Sequence, residues 1–132
     1  MEVLRMAKFS KKSLERLESC DDRLFVIFTH VIKHFDCTIL EGKRSRERQA
    51  ELVAQGKSKT LESKHIEGKA VDVAPYPIDW EDRERFHYFA GYVMATAQQM
   101  GVNLRWGGDW DRDTEVKDNS FDDLVHFEIV GE

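Results

Sequence analysis

Apolar positions recur along the chain at two alternating periods, and each change of period marks a change of element. KKSLERLE (11–18) follows Ser10, a residue suited to an N-cap, and predicts a short helix. Asp21 or Asp22 can cap a second helix, in which Leu24, Phe25, Ile27, Phe28, Val31 and Ile32 recur at helical spacing. CTIL (37–40) reads as a short strand followed by a turn at Gly42, and SRERQAELVAQG (45–56) as a helix ended by Gly56. KSKTLESKHIEG is polar throughout and predicts a loop. In AVDVA (70–74) the alternation puts Val71 and Val73 on one face and Asp72 on the other, with Pro75 and Pro77 ending the strand. Asp79 is placed to cap a long helix through WEDRERFHYFAGYVMATAQQM. VNLRW (102–106) reads as a strand, Gly107-Gly108 as its turn and 109–123 as an acidic loop. VHFEIV (125–130) closes the chain as a strand, with Phe127 and Ile129 facing one way and His126 and Glu128 the other. Short, irregularly spaced strands among helices predict an α+β fold, not a doubly wound parallel sheet.

With 132 residues, 41% of them hydrophobic, and no repeat or linker-like stretch, the pattern predicts a single domain over 1–132. An aromatic share of 11% excludes a disordered chain. The net charge of −5 is unevenly placed: basic residues outnumber acidic ones before residue 70, and acidic residues dominate after it. That division argues against a nucleic-acid binder, and the acidic half suits cations. Cys20 and Cys37 lie near apolar positions and read as buried free thiols. MEVLRMAKFSKKS has no apolar core of the signal-peptide type, and no apolar run approaches the ~18 residues of a membrane span. The expectation is a chain made in the cytoplasm, without stable membrane insertion, and monomeric by default.

Asp72 and His126 each sit on a strand whose opposite face is apolar, so both project from one side of a sheet. His65 lies seven residues before Asp72 across a turn at Gly68, near enough to return to the same place. Two imidazoles and one carboxylate suit Zn²⁺, and three protein ligands leave the open position of a catalytic site.

Ser63-Lys64-His65-Ile66-Glu67-Gly68-Lys69-Ala70-Val71-Asp72 has the form S-x-H-x-x-G-x-A-x-D, and Asp123-Leu124-Val125-His126 has the form [DE]-x-x-H. Gly42-Lys43-Arg44-Ser45, Gln49 and Arg105-Trp106-Gly107-Gly108-Asp109-Trp110 join them in order, within a stretch of roughly residues 22–130. They resemble the zinc D-alanyl-D-alanine carboxypeptidase family. The sequence looks most like its branch of L-alanyl-D-glutamate peptidases, which tailed phages use as endolysins. The resemblance implies a small fold with a central antiparallel sheet flanked by helices, shared with the zinc domain of hedgehog proteins. It also implies a Zn²⁺ site of His65, Asp72 and His126, and Asp123 as general acid/base, where Glu is the more widespread choice. Asp122 is adjacent, but consecutive residues of an extended segment point apart, which favours Asp123. By the same resemblance Arg44 holds the substrate and the developing oxyanion, Ser63 binds substrate or orients His65, and Trp110 walls the pocket. Glu128 shares the His126 face and is placed to support it.

The implied partner is the stem peptide of bacterial peptidoglycan, cut at the L-alanyl-D-glutamate bond during lysis of a phage host. The implied route runs from the host cytoplasm through a holin-type pore to the periplasm, and the lack of a wall-binding domain fits a thin Gram-negative wall. A D-Ala-D-Ala carboxypeptidase or dipeptidase is the rival enzyme, and a non-catalytic zinc-bearing binding module the rival of another class.

Other candidates have plainer readings. His30 and His34 are spaced as in zincins but lack the intervening Glu, and read as partly exposed helix residues. His87 reads as structural, Trp80 and Trp106 as core, and Arg46 and Arg48 as a solvated helix face. Asp109-x-Asp111-x-Asp113 opens like a calcium loop, then departs from it at Thr114 and Ser120. A weak second divalent cation in the 109–123 loop is the corresponding expectation.

Overall fold

The computed structural model describes residues 7–58, 60–117 and 121–131. Its first two helices begin where a short polar side chain can take up free backbone N–H groups. Ser10 Oγ accepts from Ser13 N at 3.1 Å and opens α1 (Lys11–Glu18). Asp21, of the two candidates, caps α2 (Asp22–Val31) by accepting from Arg23 N at 2.9 Å. Leu24, Ile27, Phe28 and Val31 then bury the face that the helical spacing predicts. β1 (Cys37–Glu41) runs one residue further than expected. α3 (Arg46–Ala54) is capped by Ser45 and stops earlier, because Gly56 at φ 74° lets Lys57 N return to the Leu52 carbonyl.

β2 (Ala70–Pro75) leads into α4 (Arg83–Gln99), whose start differs from the expectation. The cap is Asp82, which accepts from Arg85 N at 3.1 Å. Asp79 instead closes a preceding turn by accepting from Glu81 N. Trp80 therefore lies outside the helix and is 61% exposed, not core. Trp106 is buried as expected. β3 (Leu104–Gly107) starts later than predicted because Val102 N still bonds to Ala97 O at the end of α4. β4 (Asp123–Ile129) starts two residues earlier, which takes Asp123 out of the loop and into the sheet.

The strands form one antiparallel sheet in the order β1-β2-β4-β3. One face is the core: Val71, Val73, Phe127 and Ile129 meet α2 and α4, with Phe28 and Phe89 set edgewise to Phe127 at 5.5 and 6.2 Å. Cys20 and Cys37 are buried free thiols, raised to about 11 and about 12 chiefly by burial. The other face carries Asp72, His126 and Glu128, with Asp72 directly opposite His126 in the β2–β4 register. The α+β architecture with an antiparallel sheet is the one expected. Among the described residues no helix is long and apolar enough to cross a membrane.

Candidate active site

Asp72 Oδ1 lies 3.2 Å from His65 Nε2 and 3.2 Å from His126 Nδ1. The sheet register supplies two of these groups, and the 63–69 turn supplies the third. Within that turn Ser63 Oγ accepts from His65 N at 3.2 Å, and Lys69 N closes on Lys64 O at 2.9 Å. Ligand atoms of the three side chains fall within 4.8 Å of one another, and both histidines are buried.

The outward nitrogens decide which way the rings present themselves. His65 Nδ1 lies 2.9 Å from the Gly42 carbonyl, which can only accept, so Nδ1 carries the proton and Nε2 faces Asp72. His126 Nε2 donates to Glu128 Oε1 at 2.9 Å, leaving Nδ1 toward Asp72. With neutral imidazoles, two nitrogen lone pairs and a carboxylate oxygen then converge. Such a cluster of acceptors demands a cation, and the donor set fits zinc. Burial works against charge on His126, but hydrogen bonds to Asp72 and Glu128 outweigh it and lift His126 to about 9. Burial likewise works against the Asp72 carboxylate, yet hydrogen bonds from His126 and His65 hold it well below its ordinary range.

Glu128 is itself clamped. Arg105 donates to its Oε2 at 2.8 Å and the Lys64 ammonium lies 3.8 Å away, while Lys64 also donates to Ile129 O at 2.6 Å. Hydrogen bonds from His126 and Arg105 overcome burial and hold Glu128 at about 2.

Asp123 faces Gly107 across a bulge in the β3–β4 pairing. Burial first, and then the charge of Asp72, raise its carboxyl above the ordinary Asp value. Its neighbour Asp122 is occupied by Arg83 at 2.5 Å. Trp110 lies 5.4 Å from the His126 ring and stacks on Phe121. Its indole N–H is buried without a protein acceptor among the described residues.

Arg44 is more committed than the sequence implied. Its guanidinium donates to both oxygens of Glu41, at 2.6 and 2.8 Å, and to Gln49 Oε1 at 2.7 Å. Its backbone N–H bonds to His65 O at 2.8 Å, tying the arginine segment to the histidine turn. His30 and His34 are exposed, with their rings tilted against each other at 5.1 Å. His87 lies edgewise against Trp106, away from the cluster's hydrogen bonds. Arg46 and Arg48 pair with Glu62 and Glu51 on the surface.

The carboxylates of Asp109, Asp111 and Asp113 also fall within 4.8 Å of one another. Asp109 accepts from the Asp113 and Thr114 backbone, with Arg112 and Thr114 at φ 57° and 69°. Ser120, where the sequence departs from the calcium pattern, lies outside the described residues. Sequence reasoning missed the Gly42 carbonyl and the Arg105–Lys64 clamp. Gly42 carries no side-chain signal, whereas Arg105 was visible as the cross-strand partner of Glu128 once the register is known.

The family model described as phage L-alanyl-D-glutamate peptidase matches residues 6–130. An L-alanyl-D-glutamate peptidase of Escherichia phage T5 is 33% identical over 135 residues, covering 93% of this chain and 98% of that protein. The crystal structure of the L-Ala D-Glu endopeptidase ChiX of Serratia marcescens superposes with a TM-score of 0.80 at 28% identity, covering 95% of this chain and 91% of that one.

Proposed function

The chain belongs to the phage L-alanyl-D-glutamate peptidase family, and on that premise we propose that it hydrolyses the L-alanyl-D-glutamate bond of peptidoglycan stem peptides at a zinc ion held by His65, Asp72 and His126. The observation that carries the metal assignment is the pair of outward hydrogen bonds, His65 to the Gly42 carbonyl and His126 to Glu128. They leave three donor atoms for one cation.

When bound, zinc supplies Lewis acidity to the scissile carbonyl and to a water molecule. The rest falls to the chain. Asp123 takes the proton of the attacking water and returns one to the leaving amine, a role its raised pKa supports. Asp122 is held away from that role by Arg83. Glu41 and Gln49 use three of the five guanidinium N–H groups of Arg44. The two others are assigned to the substrate and its developing oxyanion. Ser63 holds the histidine turn and borders the substrate, and Trp110 keeps water from the His126 side. The same reading takes the protein as one catalytic domain, acting as a monomer in the host periplasm after passage through a holin-type pore. It also gives the 109–113 loop to a weakly held hard cation, supported by its three converging carboxylates. Calorimetric titration of the zinc-loaded protein with Ca²⁺, if it showed no heat, would remove that site.

Asp123→Asn tests the mechanism. The variant should bind zinc as the parent does and lose about 10²- to 10⁴-fold in kcat. Undiminished lysis by that variant contradicts the assignment of the base.

A further inference from the structure

Beside Asp123 lies a cleft, lined by Trp80 from the turn before α4, by Arg83 and Phe86 from its start, and by residues 122–125. Trp80 is 61% exposed, yet its ring is stacked on that of the buried Phe86, 5.5 Å away and at 19°. A core residue thus fixes the indole plane and leaves its outer face open. A platform already ordered loses little freedom when something settles on it. Next to it stands the 2.5 Å ion pair of Arg83 and Asp122, whose side chains remain 56% and 30% exposed.

A flat apolar ring beside a charged donor–acceptor pair is the surface that a pyranose fits. The C–H face of the sugar lies on the aromatic ring, while hydroxyl and acetamido groups find a carboxylate and a guanidinium. Asp123, assigned above to the attacking water, is itself one of the residues that line the cleft. The cleft therefore adjoins the place where the bond would be cut. In peptidoglycan the L-alanine of the stem peptide is joined to the lactyl group of an N-acetylmuramic acid, one residue from that bond.

We propose that the Trp80 cleft is a saccharide subsite, which binds the N-acetylmuramic acid ring on the amino side of the scissile bond. The assignment rests on the peptidase reading above. It makes the enzyme a reader of the glycan–peptide junction and not of the peptide alone.

Two measurements with the zinc-loaded protein test it. In the first, a muramoyl tripeptide is compared with the same tripeptide carrying an N-acetyl group in place of the sugar. The parent should cut the muramoyl substrate with a KM roughly tenfold lower at similar kcat. Trp80→Ala should erase that preference, and Trp80→Phe should restore most of it. Equal KM values for the two substrates in the parent, or an equal loss on both in Trp80→Ala, overturn the subsite. In the second, the protein is sedimented with insoluble glycan strands stripped of their peptides. The parent should be retained and Trp80→Ala released; equal behaviour of the two overturns the proposal. If neither tripeptide is cut, the peptidase reading fails, while sedimentation still decides the saccharide subsite.

Discussion

Glu128 and His126 stand two residues apart on β4, on one face of the sheet, and Oε1 of the first accepts from Nε2 of the second at 2.9 Å. That bond selects the tautomer that turns Nδ1 toward Asp72. The carboxylate is in turn fixed by Arg105 at 2.8 Å. The Asp72-facing geometry of His126 is thus anchored from behind through Glu128 and Arg105, which stand on adjacent strands.

Glu128→Gln keeps an acceptor for His126 but removes the charge that Arg105 and Lys64 surround. Zinc affinity should fall about 10- to 100-fold, the usual consequence of disturbing the support of a histidine ligand. Competition with a chromophoric chelator measures this. An unchanged affinity would show that Glu128 serves only the fold.

Gly107→Ala places a Cβ on the Asp123 carbonyl oxygen, which leaves β4 no choice but to move at its bulge. Asp123 would be displaced while the three ligands keep their positions. Such a misplacement should lower kcat by about 10²-fold with zinc content intact. Metal analysis beside steady-state kinetics separates the two, and loss of zinc along with activity would contradict this account of the bulge.

Asp21 caps α2 and pairs with Arg23, and hydrogen bonds from Arg23 hold its carboxyl at about 2 against the ordinary 3.8. The folded pKa is the lower one, so the stabilisation is complete above the ordinary value and is lost as pH falls through about 2. Asp21→Ala should therefore cost about 1 kcal/mol at neutral pH, the range of a solvated N-cap. The difference from the parent should vanish near the bottom of that window. Urea unfolding at several pH values checks both, and a deficit that persists in acid would assign the effect to packing.

The sequence shows most clearly what depends on period. Val71-Asp72-Val73 and His126-Phe127-Glu128 alternate, so the side of the sheet on which Asp72 and His126 project is legible without knowing the pairing. What depends on long-range closure is not. Placing Asp123 inside β4 requires knowing that Gly107 lies opposite it, and tying His65 to Gly42 requires knowing that the two loops meet. The start of α4 was misread for a local reason: Asp79 and Asp82 both suit a cap, and the turn between them took the first. Trp80 was misplaced with it, since an aromatic residue in an assumed helix reads as core. Arg44 was found by its motif, but its engagement with Glu41 and Gln49 involves partners three and five residues away and no periodic signal.

The bond that the zinc-loaded protein cuts is read most directly by mass spectrometry of Gram-negative peptidoglycan after incubation with it. New peptides should begin with D-glutamate, with L-alanine left on the muramic acid. Loss of terminal D-alanine alone, or no cleavage with zinc bound, would contradict the L-alanyl-D-glutamate assignment.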